Sequence, residues 1–387
     1  MEHNYILKHK EIPVIGFILN DEEFTVEKIN EIYDEKRMPF CLEKKDEIHI
    51  IRKLDKWIEK RGISDSRSDY GDYVYGTNAG SSRALSVGSL GLNLTDHYWI
   101  HKEEFNFEWK KLNFFDNNFK KLVIKRIFPQ NKEEDTSNIH PNFSVDGAQI
   151  KEWVFDGKDR ILVKEGRTKL NQEPFNEVIA SKILSIFNIE HVGYDLKTIN
   201  DRKVCVCKCM VDKENEFITA SYVFESEKDK NKNPFKQYVE ICEKNGIKDT
   251  KERMTEMIIL DFLIGNEDRH KRNFGIIRNA DTLEWLKIAP IFDNGNSLFF
   301  ASDIKGKIKD NIDSYCKWYV NSNAEKLRYM IFPEWYDFKK SKEISEIVYS
   351  QLKLIDNISK EKLSKIIKII EDRRKELEKI LKKIPKN

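Results

Sequence analysis

A chain of 387 residues is longer than one hydrophobic core usually fills, so two or three cooperating units are expected. Hydrophobic residues make up 40% of the chain and aromatic residues 11%, which predicts a globular protein with packed cores. Sixty-eight basic residues against sixty-six acidic ones leave a net charge of only +2, and this balance argues against a dedicated binder of nucleic acid or anionic membranes.

The N-terminus carries no signal-peptide pattern, because Met1 to Tyr5 contain neither a basic region nor the start of an apolar core. No run of 18 apolar residues occurs anywhere in the sequence. We therefore expect a soluble, cytoplasmic protein that does not enter a membrane. Three of the six cysteines, Cys205, Cys207 and Cys209, alternate along a predicted strand, a pattern more typical of small buried residues than of a metal site.

The first 140 residues are predicted to form an N-terminal accessory region without a recognisable catalytic motif. The hydrophobic pattern predicts one or two strands in residues 4–19, a short helix in 25–35 and another helix in 54–60 that ends near Gly62. Residues 64–96 are rich in Ser, Gly, Asp and Tyr. We interpret them as an extended surface segment or packing arm, and the alternative is a ligand-binding loop.

Two further features separate this region from the next predicted unit. Residues 97–119 are dense in aromatic side chains, and their basic residues are not interleaved in the manner that a base-stacking platform prefers, which favours buried inter-domain packing. Residues 129–142 are polar and bracketed by prolines, so we interpret them as a linker between domains.

Residues 141–212 are predicted to form a small nucleotide-binding lobe. A small-residue turn leads into a strand that ends at Phe155, and a second strand over 160–164 ends at Lys164. A helix is predicted over 174–187, with Glu177 in its opening turn, where it can pair with Lys164 or interact with the helix dipole alone. Strands over 192–199 and 203–211 complete a small antiparallel sheet.

Residues 213–387 are predicted to form a mainly helical lobe. A charged, solvated loop over 225–233 precedes a largely buried helix over 253–264, which has capping-box residues before it and Gly265 at its end. A hairpin over 274–292 follows, and two helices are predicted within 341–383.

The chemistry is expected in the loop that follows the buried helix. Asp268 precedes Asn273 by five positions, and the hairpin folds Asp293 back toward Asn273. An acid that orients a hydroxyl and two oxygen ligands for magnesium are what ATP-dependent phosphoryl transfer requires. This spacing therefore predicts a kinase.

Four segments resemble motifs of the HipA-like serine/threonine kinases, a bacterial family often found as the toxin half of toxin–antitoxin pairs. They are SVDGAQIK at 144–151, EPFNEVIA at 173–180, GNEDRHKRN at 265–273 and APIFDN at 289–294. The resemblance implies an α+β fold of bilobal protein-kinase type, with a small antiparallel-sheet N-lobe, a mainly helical C-lobe and the N-terminal accessory region. The likeness is specific over about residues 141–300 and vague elsewhere.

The resemblance also implies a role for individual residues. Asp268 would be the catalytic acid that receives the hydroxyl proton, supported by Lys164 and Glu177, and Ser144 would be a site of inhibitory autophosphorylation. The magnesium ligands would be Asn273 and Asp293. The residues expected to contact ATP are Gly147, Ala148, Gln149, Lys151, Lys164 and His270.

These features predict a serine/threonine protein kinase that uses ATP and Mg²⁺ on a protein substrate, with an antitoxin-like or regulatory partner implied by the family. The sequence has no G-x-G-x-x-G motif, and the histidine follows the catalytic acid, as it does in phosphoinositide kinases. A lipid kinase is therefore one alternative, and a transfer-inactive nucleotide-binding module that acts through a partner is another.

Overall fold

A computed structural model describes residues 2–42, 46–76, 80–118, 139–145, 147, 149–227, 231–301 and 329–385. The described residues combine antiparallel sheets with helices, which confirms the predicted mixture of α and β structure. They fall into two compact units. The N-terminal unit comprises 1–163, 211–218 and 278–284, and the C-terminal unit comprises 164–210, 219–277 and 285–387. Among the described residues, no helix has the length and apolar character needed to cross a bilayer.

Seven strands and four helices lie wholly or mostly in the described residues of the N-terminal unit. The strands are β1 Glu2–His9, β2 Ile12–Asn20, β3 Thr25–Ile32, β4 Tyr98–Lys102, β5 Lys151–Phe155, β6 Arg160–Lys164 and β9 Asn215–Thr219. The helices are α1 Glu47–Lys60, α2 Tyr70–Gly76, α3 Ser82–Gly88 and α4 Trp109–Leu112, with short 3-10 turns at Glu35–Arg37 and Pro141–Ser144.

The C-terminal unit contains the remaining described elements. Its strands are β7 Tyr194–Ile199, β8 Arg202–Lys208, β10 Gly275–Asn279 and β11 Trp285–Ile288. Its helices are α5 Glu173–Ile186, α6 Ala220–Ser226, α7 Pro234–Lys244, α8 Thr250–Ile264, α9 Ile344–Leu352 and α10 Lys360–Leu381, with a 3-10 turn at Lys340–Glu343.

The first sheet has the strand order β3-β2-β1-β4, and each strand runs antiparallel to its neighbours. The prediction of a helix over 25–35 is wrong, because Thr25–Ile32 forms the edge strand β3. Its backbone pairs with β2 from Thr25 opposite Asn20 to Ile32 opposite Ile15. The segment is rich in β-branched residues, and the neighbouring strand supplies the hydrogen bonds that a short helix would have to make locally.

Residues 64–96 contain the short helices α2 and α3, so the extended conformation predicted for this segment is wrong. Ser81 caps α3 by accepting a hydrogen bond from the Ala84 N–H. Tyr73, Leu85 and Phe143 pack in one buried cluster of the N-terminal unit. The high glycine and serine content of this stretch suggested a surface segment, whereas its apolar residues pack in the core.

Most of the described aromatic side chains in residues 97–118 are buried, whereas their packing between domains stays a prediction. Trp99, Trp109 and Phe115 are buried within the N-terminal unit, whereas the Phe105 side chain is 48% exposed. Phe119 and residues 129–138 of the expected linker lie outside the described residues.

In the C-terminal unit, α5 begins at Glu173 with Pro174 in its first turn, close to the predicted start. β7 and β8 pair antiparallel, with Tyr194 opposite Cys207. Cys205 and Cys207 are buried free thiols, and burial raises the pKa of Cys207 to about 12, so its thiol stays neutral. β8 ends at Lys208, earlier than the predicted strand end at residue 211.

Three smaller predictions in the helical half need correction. At the start of the lobe predicted to be mainly helical, residues Asn215–Thr219 form the strand β9. The charged stretch 225–233 begins inside α6, and its last residue, Asn233, caps the unpredicted helix α7. Asp249 does not cap α8 through its side chain, because its carboxylate accepts a hydrogen bond from Arg253 Nε at 3.0 Å instead.

Helix α8 supports the predicted catalytic loop. Twelve of its fifteen residues are buried, so the helix is fixed on nearly all sides. Gly265 ends it with φ +60, in the left-handed conformation that a helix C-cap glycine adopts. Helix α10 packs against α8, and α9 packs against both α10 and α5. The loop after Gly265 is therefore presented from a rigid base.

Candidate active site

Lys164, the last residue of β6, belongs to the C-terminal unit and contacts two carboxylates of that same unit. Its Nζ donates hydrogen bonds to Glu177 Oε1 and, at 2.7 Å, to Asp293 Oδ1. Lys164 is 2% exposed and Glu177 is fully buried. Burial acts to lower the pKa of Lys164, but the charges of Asp293 and Glu177 prevail and hold it well above its ordinary value. The lysine is therefore a charged ammonium.

Glu177 also fixes the loop that contains Asp293. Its Oε2 accepts a hydrogen bond from the Asn294 backbone N–H at 2.8 Å. Asp293 has φ +57, a left-handed conformation that is strained for a non-glycine residue and must be held by its surroundings. One buried carboxylate thus positions the lysine and the backbone beside Asp293.

Asn176, the neighbour of Glu177 on α5, holds the same loop from a second side. Its Nδ2 donates to the Gly295 carbonyl at 2.8 Å and to the Ser297 carbonyl at 2.7 Å. Asn176 is fully buried, so its two hydrogen bonds supply donors to carbonyl groups that water would not reach. The sequence analysis did not identify this residue.

The Asp268 loop is ordered by its own polar side chains. Asn266 Oδ1 accepts the Asp268 N–H at 3.0 Å, and Asn273 Nδ2 donates to the Asp268 carbonyl at 3.0 Å. The Asp268 side chain is 46% exposed, whereas Asn273 is only 7% exposed. The backbone of this loop is fixed, while its carboxylate faces solvent and is accessible to a large molecule.

Arg269 connects the Asp268 loop to the Asp293 loop. Its Nη1 donates to the Asn273 carbonyl at 2.9 Å and to the Phe292 carbonyl at 2.6 Å. Its Nη2 donates to Asn294 Oδ1 at 2.5 Å and to Asp261 Oδ1 at 3.0 Å. Because Arg269 is 2% exposed, it acts as a buried clamp between two segments about twenty residues apart.

Sequence reasoning missed this clamp. The available signal was the arginine directly after Asp268, together with Asp261, an aspartate within the apolar second half of α8. A charge of each sign within a buried segment predicts a buried ion pair.

One protein-family match contains the predicted catalytic and metal-binding residues. Residues 143–374, more than half of the chain, match the family described as the HipA-like C-terminal domain. The chain belongs to this family. The match contains Lys164, Glu177, Asp268, Asn273 and Asp293, and it excludes β1 to β4.

The chain is also similar to part of a curated bacterial kinase. The serine/threonine-protein kinase CtkA of Helicobacter pylori strain J99 is 26% identical over 210 residues, which are 50% of this chain and 62% of CtkA. The crystal structure of CtkA, described as a proinflammatory kinase, aligns at 18% identity and a TM-score of 0.44, covering 60% of this chain and 92% of the chain in that structure.

A second solved structure covers nearly the whole chain. A chain of the Shewanella oneidensis MR-1 complex of HipA, HipB and operator DNA aligns with a TM-score of 0.59 at 11% identity. The alignment covers 98% of this chain and 99% of that chain. At this identity the likeness shows a common fold, and it includes the N-terminal residues that the HipA-like family match leaves out.

His270, which was predicted to contact ATP, lies two residues after Asp268 in the same loop. Its side chain is 42% exposed, and its Nε2 lies 4.0 Å from Asp268 Oδ1. Its Nδ1 accepts the Arg272 N–H at 3.2 Å. A hydrogen bond within its own loop therefore orients the imidazole, and the ring remains accessible to solvent.

The other predicted nucleotide-loop residues lie in the N-terminal unit. Gly147 has φ +95, a backbone conformation that residues with a side chain rarely adopt, so glycine is favoured at this position. Ser144 is 7% exposed, and its Oγ donates to the Pro141 carbonyl at 3.1 Å. Gln149 lies among the described residues, whereas Ala148 lies outside them.

A second polar cluster lies in the N-terminal unit, mostly before the HipA-like match. His9, His97 and Glu216 are fully buried, and their ligand atoms lie within 4.8 Å of one another, as in a metal site. Arg37 Nη1 lies 3.2 Å from His9 Nδ1, and His9 Nε2 lies 3.1 Å from Glu216 Oε2.

An arginine can only donate, so His9 Nδ1 accepts and its Nε2 carries the hydrogen that Glu216 receives. His9 Nε2 then has no lone pair for a metal. Burial acts to raise the pKa of Glu216, but the hydrogen bond from His9 and the Arg278 guanidinium hold it well below its ordinary value. Arg37, His9 and Arg278 thus form a hydrogen-bonded network around the buried Glu216 carboxylate.

Proposed function

We propose that this HipA-like chain is an ATP-dependent serine/threonine protein kinase. The observation that supports the proposal is the contact of Lys164 with both Glu177 and Asp293. Kinases use a strand lysine held by a helix glutamate to bind nucleotide phosphates, with an aspartate nearby for the metal. The relationship to CtkA supports the same class, although the chain spans only 62% of CtkA's length.

The donor set of the site fits magnesium. Asn273 Nδ2 is engaged by the Asp268 carbonyl, so the amide oxygen is the atom left for a ligand. The Asp293 carboxylate is 29% exposed and offers a second hard oxygen, of the kind that Mg²⁺ prefers. When bound, Mg²⁺ neutralises negative charge on the phosphates.

The transfer step assigns one role to each residue. Lys164 holds the phosphate oxygens, and Glu177 keeps its ammonium in place. Asp268 accepts a hydrogen bond from the serine or threonine hydroxyl and takes its proton as the hydroxyl oxygen bonds to the γ-phosphorus. The bond from the γ-phosphorus to the bridging oxygen breaks, and this oxygen leaves with ADP. Gly147, Ala148, Gln149, Lys151 and His270 complete the proposed contacts with ATP.

Radiolabel transfer from γ-labelled ATP in the presence of magnesium tests the proposal. Dephosphorylated casein serves as a generic acceptor, and self-labelling is measured in parallel. We expect the wild type to transfer label and both Asp268→Asn and Asp293→Asn to lose at least about 100-fold in rate. Asp195→Asn, which changes an exposed carboxylate on β7, is the matched control and keeps wild-type activity.

The same experiment separates the alternatives. Label transfer that survives both substitutions contradicts the assigned site. Binding of ATP without transfer to any acceptor indicates a nucleotide-binding module. Label that enters phosphoinositide vesicles and not protein indicates a lipid kinase.

Self-phosphorylation at Ser144 is a separate part of the proposal. The hydroxyl is bonded to the Pro141 carbonyl, and Asn93 Nδ2 donates to the Ser144 carbonyl at 2.9 Å. Modification therefore requires this turn to open. Mass spectrometry after incubation with ATP should find one phosphate on the peptide that contains Ser144 in the wild type and none in Asp268→Asn.

A protein partner is proposed from the family relationship alone. The solved HipA was obtained with HipB and operator DNA, and that assembly belongs to the Shewanella protein. An antitoxin-like or other regulatory partner of this chain should co-purify with the tagged protein at a fixed ratio and change its label transfer. A tagged protein that purifies alone and fully active would contradict this part of the proposal.

A further inference from the structure

A chain of hydrogen bonds reaches the carboxylate of Asp268 from outside its own loop. Arg167 Nη2 donates to Asn296 Oδ1 at 3.0 Å, and Asn296 Nδ2 donates to Asp268 Oδ2 at 2.7 Å. All three residues lie in the C-terminal unit, and Arg167 and Asn296 are 129 positions apart. The sequence analysis identified neither Arg167 nor Asn296.

Arg167 determines which way the Asn296 amide faces. An asparagine side chain can present either its oxygen or its NH₂ group in a given direction. The guanidinium has only donors, so Asn296 must direct its oxygen to Arg167 and its NH₂ to Asp268. The backbone of Asn296 is held as well, because its carbonyl accepts the Glu267 N–H at 2.9 Å. Asn296 therefore has a fixed position and a fixed orientation.

The position of Arg167 is itself set by a buried acid at the start of α5. Glu173 is 1% exposed, and its Oε1 accepts the Arg167 N–H at 2.9 Å. Its Oε2 accepts a hydrogen bond from Thr168 Oγ1 at 3.0 Å. Arg167 follows Lys164 by three residues, so the segment that ends in the phosphate-binding lysine also carries the group that orders Asn296.

The two oxygens of Asp268 consequently differ. Oδ2 is occupied by the Asn296 amide. Oδ1 accepts no hydrogen bond from any residue in the described part of the chain, and His270 Nε2 lies 4.0 Å from it. A hydrogen bond to one oxygen fixes the rotation of the carboxylate about its Cβ–Cγ bond and leaves the other oxygen to face the acceptor.

We propose that Asn296 is a positioning residue that directs Asp268 Oδ1 to the acceptor hydroxyl, and that Arg167 acts on Asp268 only through Asn296. The inference rests on the proposed kinase function and deepens it. Neither residue is required to contact ATP, so both should affect the rate of transfer rather than the binding of nucleotide.

The test measures label transfer to casein and ADP release from Mg-ATP for Asn296→Ala, Asn296→Asp, Arg167→Met and the Arg167→Met/Asn296→Ala double variant. We expect Asn296→Ala to lower kcat by roughly 10-fold to 100-fold, with the KM for ATP unchanged within about twofold. Asn296→Asp should be slower still, because it keeps the shape but sets a second carboxylate against Asp268 Oδ2.

Arg167→Met should lower kcat by less than Asn296→Ala, and the double variant should match Asn296→Ala within about twofold, because the arginine has no effect once the amide is gone. Arg202→Met is the matched control, since Arg202 pairs with Glu165 at 2.6 Å and is 55% exposed. It should retain wild-type kcat. Arg167 is 39% exposed, so its loss is tolerated by the fold, and melting temperatures check this for every variant.

Two results would overturn different claims. If the wild type transfers label but Asn296→Ala and Asn296→Asp keep its kcat, or if the two single losses simply add in the double variant, the positioning role is wrong. If the wild type neither transfers label nor releases ADP, the kinase proposal itself is wrong.

Discussion

Lys164 Nζ lies 2.7 Å from Asp293 Oδ1, although the two residues are 129 positions apart in the sequence. The proposed phosphate-binding lysine and the proposed magnesium ligand are therefore ion-paired with each other. Glu177 shares the same ammonium from a fully buried position. Removing the lysine would leave a buried carboxylate without its cation, and an uncompensated buried charge strongly destabilises a folded protein.

The first prediction concerns this ion pair. Lys164→Met keeps the length of the side chain but removes the charge, so we expect the free energy of unfolding to fall by about 3–5 kcal/mol and label transfer to be lost. Urea unfolding measures the stability. Lys203→Met is the control, because Lys203 makes a hydrogen bond to Thr198 Oγ1 at the surface, and its loss should cost less than about 1 kcal/mol. Equal losses in both variants would contradict the prediction.

A second prediction concerns Asn176. Asn176→Ala leaves the Gly295 and Ser297 carbonyls without their donor, so we expect a loss of about 2–3 kcal/mol in the free energy of unfolding and a lower rate of label transfer. The rate falls because the Asp293 loop loses one of its two attachments to α5. Lys182→Ala, at an exposed position of the same helix, should change neither quantity. Unchanged stability of Asn176→Ala would show that the loop is held by other contacts.

A third prediction concerns the end of α8. Gly265 has φ +60, and a Cβ there would overlap Arg373 Nη1, which donates to the Phe262 carbonyl at 3.2 Å. Gly265→Ala should therefore reduce the free energy of unfolding by about 1–3 kcal/mol through backbone strain and displacement of the arginine. Gly193→Ala is the matched control, since Gly193 has open space around its Cα. A neutral Gly265→Ala would mean that the turn can adopt another backbone conformation.

A fourth prediction concerns pH. Burial lowers the pKa of His9, so below about pH 6.5 the unfolded chain binds protons at this residue that the folded chain does not. Protons then favour unfolding, and the stability present above pH 6.5 declines as the pH falls. We expect the melting temperature of His9→Gln to fall less than that of the wild type between pH 7.5 and pH 5.5. The glutamine NH₂ can replace the hydrogen bond to Glu216.

The control for this prediction is His49→Gln, which changes a partly exposed histidine on α1 and should keep the wild-type pH dependence. The window lies above the ordinary range of carboxylates, so titration of Glu216 does not contribute. An identical pH dependence of His9→Gln and the wild type would show that His9 takes up its proton equally in both states.

Much of the candidate site was accessible from sequence. Helix α5, strand β6 and the end of α8 follow from apolar periodicity, from proline in a first turn and from glycine at a helix end, all of which act over a few residues. The pairing of Lys164 with Glu177 was one of two interpretations of the glutamate, and it was suggested by the ion pair between a strand lysine and a helix glutamate in kinases. The structure has this contact.

The secondary-structure predictions were wrong where pairing with another strand or packing in the core outweighed the local sequence pattern. Residues 25–32 have the composition of a short helix or a strand, and the neighbouring strand β2 decides between them by completing their hydrogen bonds. In residues 64–96 the polar composition outweighed the few apolar residues that the core takes up.

By itself the sequence determined the succession of elements in the C-terminal half, the loop that carries Asp268 and Asn273, and membership of the HipA-like family. Only the tertiary structure decided which groups meet. Arg269 connects two loops, and Asn176 binds the Asp293 loop. Arg167 acts on Asp268 through Asn296. The physical reason is that helix and turn signals are short-range. A hydrogen bond between side chains more than a hundred positions apart depends on how the whole unit packs.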